Sequence, residues 1–251
     1  MKNRRIAILA AGFAALLSAA CGDNSEPSSA AAATPVIDVG DGGEYAPALD
    51  PADFVARIDN PYLPLTPGSR WVYESEDGSE RIEVVVLEET RDILGITATV
   101  VRDTASEDGA VIEDTFDWYA QDRDGNVWYL GEDTREYEDG EVVSTAGSWE
   151  AGVDGAQPGI IMPGTPSAGQ RHRQEFYAGE AEDMAEVLQL DATETVAFGA
   201  FEELLVIREW TPLEPEIVEQ KYYARGIGLV LELKVAGESG RVELVSYEPT
   251  Q

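Results

Sequence analysis

The densest group of reactive side chains is Glu180-Ala181-Glu182-Asp183-Met184-Ala185-Glu186, four carboxylates within seven residues. Glu180, Glu182, Asp183 and Glu186 are hard oxygen donors of the kind Ca²⁺ takes. Two of them could instead act as acid and base in a hydrolase or lyase reaction if burial raised one pKa. The plainer reading pairs them with Arg171 and Arg173 and leaves the remaining charge to solvent. Ca²⁺ at these four residues is the one cofactor the sequence suggests.

Other chemistries are poorly supplied. His172 is the only histidine and Cys21 the only cysteine, so neither a His-pair nor a thiolate zinc site can be built, and no disulfide can form within the chain. A Ser-His-Asp triad would need His172, yet no Gly-x-Ser-x-Gly elbow occurs. Flanked by Arg171 and Arg173 on an expected strand, His172 reads as a surface residue. Asp122-Arg123-Asp124-Gly125-Asn126 offers oxygens at alternate positions. A calcium loop of the EF-hand type wants Gly sixth and Glu twelfth, whereas Gly125 is fourth and Asp133 twelfth. A hairpin turn is the better reading.

Aromatic residues point to binding rather than chemistry. Phe116 and Trp118 fall on one face of an expected strand and Tyr119 on the other, with Trp128 and Tyr129 across the following turn. Such residues build a core or line a groove for an apolar or carbohydrate ligand. Trp118, Trp128, Tyr129, Ile160 and Ile161 are the candidates for contact with an apolar small molecule.

The elements that must position these groups read as nearly all strand. Arg70 to Glu74 and Arg81 to Leu87 flank Asp77-Gly78, a hairpin signal. The pattern repeats around turns at Asp108-Gly109, Asp124-Gly125-Asn126 and Asp139-Gly140. Turn signals every 8 to 12 residues or so predict an all-β domain over 51–251, a single antiparallel curved sheet or a partly closed barrel or sandwich. The Gly- and Pro-rich stretch Ala151 to Gly169 reads as a long loop, with Ile160 and Ile161 plugging one barrel end or moving as a lid. Strands are expected at Arg171 to Phe176, and at Glu182 to Leu190 in preference to a short helix. Further strands follow near Thr193 to Ala197, Phe201 to Trp210, Ile217 to Arg225, Leu229 to Val235 and Arg241 to Tyr247.

The N-terminus has a different logic. Lys2, Arg4 and Arg5 precede the apolar run Ile6 to Leu17 and the small residues Ser18-Ala19-Ala20-Cys21. That order reads as a signal peptide over 1–20, its apolar run shorter than the roughly 20 residues a membrane-spanning helix needs. Leu16-Leu17-Ser18-Ala19-Ala20-Cys21 resembles the lipobox of bacterial lipoproteins, which implies a lipid on Cys21 and a membrane anchor outside the cytoplasm. Here Ser18 stands where the motif usually has Leu. Residues 21–50, rich in Ala, Ser, Pro, Gly and Asp, read as a disordered tether. As a random coil it would span on the order of 30 Å.

Charge excludes one class of partner. The chain carries 49 acidic against 17 basic residues, net −32, and loss of Lys2, Arg4 and Arg5 with the leader takes this to −35. Such a surface repels nucleic acid and anionic headgroups. A saline habitat and simple solubility are the plain explanations of the acidity.

Three blocks, Asn60 to Tyr73, Asp117 to Tyr129 and Lys221 to Val230, resemble blocks in a family of uncharacterised bacterial lipoproteins with an extracytoplasmic all-β domain. The resemblance implies an envelope location and no particular activity. Pro64-Leu65-Thr66-Pro67-Gly68 before Trp71, and Tyr222-Tyr223-Ala224 before Gly226-Ile227-Gly228-Leu229-Val230, are also similar to segments of periplasmic β-proteins whose curved sheet partly closes around a hydrophobic groove. Two functions stay open at this point. One is a non-catalytic binding or scaffold module for an apolar ligand or an envelope partner. The other is a carboxylate-based enzyme.

Overall fold

Reversals come first, because they fix every strand register. In the computed structural model, which describes residues 45–237 and 239–250, Asp108 and Gly109 have φ of 50° and 83°, and Asp139 and Gly140 have 53° and 80°. Left-handed backbone at both turn positions matches the twist of the strands it joins, and Asp-Gly reaches it at little cost. Leu94-Gly95 adopts the same conformation, at 55° and 79°, although Leu rarely goes there. The expected signal peptide, Cys21 and most of the tether lie outside the described residues.

The strands are β1 (Phe54–Val55), β2 (Asp59–Asn60), β3 (Leu63–Pro64), β4 (Arg70–Ser75), β5 (Glu80–Ile93) and β6 (Ile96–Glu107). Next come β7 (Ala110–Asp122), β8 (Val127–Glu138), β9 (Glu141–Ser144), β10 (Trp149–Glu150), β11 (Gln157–Met162) and β12 (Arg171–Arg173). The last are β13 (Glu175–Phe176), β14 (Met184–Val196), β15 (Gly199–Trp210), β16 (Val218–Ala224), β17 (Gly228–Ala236) and β18 (Gly240–Glu248). Among the described residues, sixteen of them form one antiparallel sheet in the order β12-β14-β15-β16-β17-β18-β4-β5-β6-β7-β8-β11-β13, with β1, β9 and β10 attached to its side.

The two ends of that path, β12 and β13, are neighbours in sequence. Arg171 to Arg173 pair with β14, and after Gln174 the chain changes partner, so that Glu175 and Phe176 pair with β11. One short segment therefore bridges the two edges, and the antiparallel sheet is nearly closed into an all-β barrel.

Two sequence expectations are corrected. Ala151 to Gly169 is not a plugging loop, because its middle, β11, is a buried strand paired with β8. The glycines there serve close packing: a Cβ on Gly159 would lie 2.2 Å from the Gln174 carbonyl carbon. His172 is not on the surface but fully buried. Alternation along β12 explains it, since exposing Arg171 turns the next side chain to the face of its register partner Ala185, itself fully buried. The preference for strand over helix at Glu182 to Leu190 is met by β14, which runs on through Thr193.

The three blocks noted in the sequence meet in space. Asn60 Nδ2 donates to Gly125 O at 2.9 Å, and Gln121 Oε1 accepts from the Asn60 amide at 2.8 Å. Gly226 N donates to Pro61 O at 2.7 Å, and Trp71 Nε1 to Ile227 O at 2.7 Å. Their shared role is to tie strands far apart in sequence together.

Candidate functional site

Register carries polar residues into the barrel. Across β7 and β8, Asp117 faces Glu132 and Tyr119 faces Tyr129. Tyr129 and Glu132 are three positions apart, so strict alternation would place them on opposite faces. A bulge sets Leu130 and Gly131 against Trp118 alone and restores the phase. Gly131, at φ 137°, is needed there, because a Cβ would lie 2.3 Å from the Trp149 carbonyl. Beyond this pair, Thr115 and Thr134 bond hydroxyl to hydroxyl at 2.7 Å.

The opposite wall supplies a cation. Lys221 Nζ lies 2.6 Å from Glu209 Oε2 and 4.0 Å from Glu232 Oε2, all three buried. Burial pulls the Lys221 ammonium down, but the charges of Glu209 and Glu232 more than offset this and its pKa ends above the ordinary value. Asp103, Asp117, Glu132, Glu175 and Asp183 complete a buried set of seven carboxylates.

Most of these acids are held toward their neutral form. Burial pushes the Asp117 carboxyl up to about 7, although the hydroxyls of Tyr129, donating at 2.7 Å, and Tyr119 draw it down. Burial, and then the charge of Asp117, raises Glu132 and Asp103. Glu175, which accepts from Trp149 Nε1 at 2.9 Å, is raised by burial and by Asp183. Asp183 is raised by burial and by Glu209. Among the described residues, Asp103 Oδ2, Asp117 Oδ2, Glu132 Oε1 and Glu175 Oε1 have no hydrogen-bond partner. The cavity that Tyr129, Ile161, Gln174, Glu175, Asp183, Glu209 and Lys221 surround measures about 10 Å³, room for roughly one water. His172, buried elsewhere on β12, is held neutral as well: burial lowers its pKa to about 4.

The cluster Glu180 to Glu186 is not assembled as a unit. Glu182 accepts from Gly179 N at 2.8 Å. Asp183 turns into the barrel beside Glu209, while Glu186 faces outward, 3.2 Å from Arg171 and paired with Arg208. Among the described residues no group of three or more His, Cys, Asp or Glu is disposed to hold a metal ion.

The apolar candidates are all buried in one cluster. Trp128, Tyr129, Ile160 and Ile161 are packed into the core, and Trp128 Nε1 donates to Asp122 Oδ2 at 2.8 Å. Trp118, 5% exposed and part of the same buried cluster, lines a groove of about 370 Å³ together with Phe116 and the buried Val100, bordered by Glu89, Thr90, Arg91, Asp133 and Arg135. The Arg91 guanidinium lies 3.9 Å over the Trp118 ring, and that of Arg102 5.4 Å over Phe116. Apart from Asp183, the interior acids were missed in the sequence because they lie on different strands, among other acids that face solvent. Only the placing of Asp103, Asp117 and Lys221 at the inward phase of otherwise apolar runs could have revealed them.

No protein-family model matches the sequence, and no curated protein matches it. Two solved structures are similar in part. One, from Bacteroides fragilis, is described as exported and YmcC-like in fold; it is 16% identical, and the match covers 75% of this chain and 99% of that one with a TM-score of 0.42. The other, from Parabacteroides distasonis and described as a lipoprotein, is 10% identical, with 74% of this chain and 98% of that one covered and a TM-score of 0.42.

Proposed function

We propose that this chain is a lipid-anchored extracytoplasmic module that works by binding, without catalysis, and that it meets an envelope partner through the outer face of its barrel. The observation that carries this reading is the contrast between the two faces of the sheet. A small apolar ligand needs several hundred Å³ of space lined mostly by apolar groups. The inner cavity beside Tyr129 and Ile161 is about 10 Å³ and is bordered by three carboxylates and an ammonium. The outer groove is about 370 Å³, with Phe116 over the buried Trp118 and Val100 at its floor and Arg91, Arg135, Glu89 and Asp133 at its rim, a mix of aromatic and arginine side chains of the kind protein–protein contacts use.

The test uses the full chain in a bacterial host, with a photo-crosslinking amino acid at Thr90 on the groove rim. A discrete cross-linked envelope species that disappears with Phe116→Ala and Arg135→Glu supports the reading. Absence of any such species, together with one-to-one uptake of an apolar dye by the purified domain, overturns it in favour of a carrier. The anchor is tested separately: Cys21→Ala moves the chain from the membrane pellet to the soluble fraction, and a variant pelleting as fully as the parent sinks that part.

A further inference from the structure

We infer that the closing segment Arg171–Phe176 is a charge-sensitive latch: it is held by the shortest ladders of the ring against the tightly packed carboxyls of Glu175 and Asp183, and it opens before any other part of the barrel as pH rises. The geometry makes it the weakest ladder in the ring. β12 has three residues and β13 two, against twelve to fourteen in β5, β6, β7, β8, β14 and β15. One of the two pairs joining β13 to β11 is Pro158 with Glu175, and proline brings no N–H to a ladder. The partner change is held by Gln174, whose amide donates to Asp183 O at 2.8 Å and whose side chain donates to Glu209 Oε1 at 2.9 Å. Both acceptors belong to acidic residues of the cluster.

Charge converges on this segment from every side. Glu175 is faced by Trp149 of β10, by Tyr129 and Glu132 of β8, by Asp117 of β7, and by Asp183 at the entry to β14. Around the same cavity stand Glu209 of β15 and Lys221 of β16, and Asp183 also accepts a hydrogen bond from Thr211 and feels the charge of Glu219 of β16. Of the two cations on the segment itself, Arg171 pairs with Glu186 at 3.2 Å, and the buried Arg173 lies over the rings of Phe176 at 4.6 Å and Tyr45 at 5.7 Å. With Lys221 already paired to Glu209, anions at Glu175 and Asp183 would repel each other with room for about one water between them. Admitting solvent relieves that repulsion, and a cooperative unit with few hydrogen bonds opens first.

Hydrogen exchange on the folded domain, corrected for the intrinsic rate at each pH, tests this. As pH is raised from 5.5 into the alkaline range, protection over residues 170–178 falls at least about tenfold more than over 82–88, where Val86 N bonds Ser69 O. Half-molar NaCl leaves the difference in place, because buried charges are weakly screened. Glu175→Gln with Asp183→Asn removes it. Equal loss in both segments, abolition by salt, or persistence in the double variant overturns the latch, and the first two are read on the parent protein even if the variant fails to fold.

Discussion

Lys221 Nζ and Glu209 Oε2 stand 2.6 Å apart inside the barrel, at side-chain exposures of 3% and 7%. Breaking one partner of a buried ion pair leaves the other charge stranded, which costs about 3–5 kcal/mol. Lys221→Met is therefore expected to lose about that much in urea unfolding. Adding Glu209→Gln should recover more than half of it, and a double variant no better than the single would contradict the pairing.

Asp117 gives stability a slope on the alkaline side. Unfolded, its carboxyl loses the proton near pH 4; folded, it keeps it to about 7. The folded state binds more protons across that window, so stability falls as pH rises from about 4 to 7 and is flat for this group above it. Asp117→Asn should reduce the loss between pH 4.5 and 7.5 by at least about 1 kcal/mol, measured by urea unfolding at both values.

His172 works in the opposite sense. Its folded pKa of about 4 lies below the unfolded value near 6.5. The unfolded chain takes the proton first, and stability falls as pH drops from about 6.5 to 4. His172→Leu should be the more stable protein at pH 4, by about 2 kcal/mol, with the advantage shrinking toward neutrality. An advantage independent of pH would mean the ring titrates normally.

Glycine substitutions separate packing from backbone strain. At Gly159 an added Cβ meets the Gln174 backbone at 2.2 Å, whereas at Gly109 it meets nothing within 4 Å and only the φ of 83° opposes it. Gly159→Ala is expected to cost about 3 kcal/mol and Gly109→Ala about 1 kcal/mol, compared by thermal or urea unfolding. Equal costs would remove the argument that β11 lies directly on the closing segment.

Calcium is the remaining test. With Glu186 paired to Arg171 and Arg208, and Asp183 turned inward, CaCl2 and NaCl at matched ionic strength should shift the melting temperature equally. A specific excess for Ca²⁺, removed by Asp183→Asn with Glu186→Gln, would restore the cation site expected from the run Glu180 to Glu186.

Much of the architecture was legible because it is written locally. Asp108-Gly109 and Asp139-Gly140 carry their own conformational preference, and the alternation through Phe116, Trp118 and Tyr119 assigned those rings to the correct faces. What failed depended on distant partners. Gln157 to Met162 looks like loop in a chain read from one end to the other, since its glycines make sense only against Gln174, and nothing near His172 signals the buried Ala185 across the ladder. The interior acids were hidden for the same reason. A dense run such as Glu180 to Glu186 attracts attention, yet strand geometry scatters it, while Asp117, Glu132, Glu175 and Lys221, distant in sequence, end up together.

The first long strand of the barrel pairs with the last. Arg70 of β4 bonds Glu248 of β18 across 178 positions of chain, 3.3 Å apart. Until β18 has been delivered, β4 has one edge bare, and no amount of local hairpin formation can supply it. Closing so distant a contact is slow, and an open strand edge invites pairing with other chains while it waits. A chain threaded across a membrane from its N-terminus would thus reach the far side as a growing row of hairpins and become a barrel only when its tail arrives. Strongly acidic nascent copies would meanwhile keep one another at a distance.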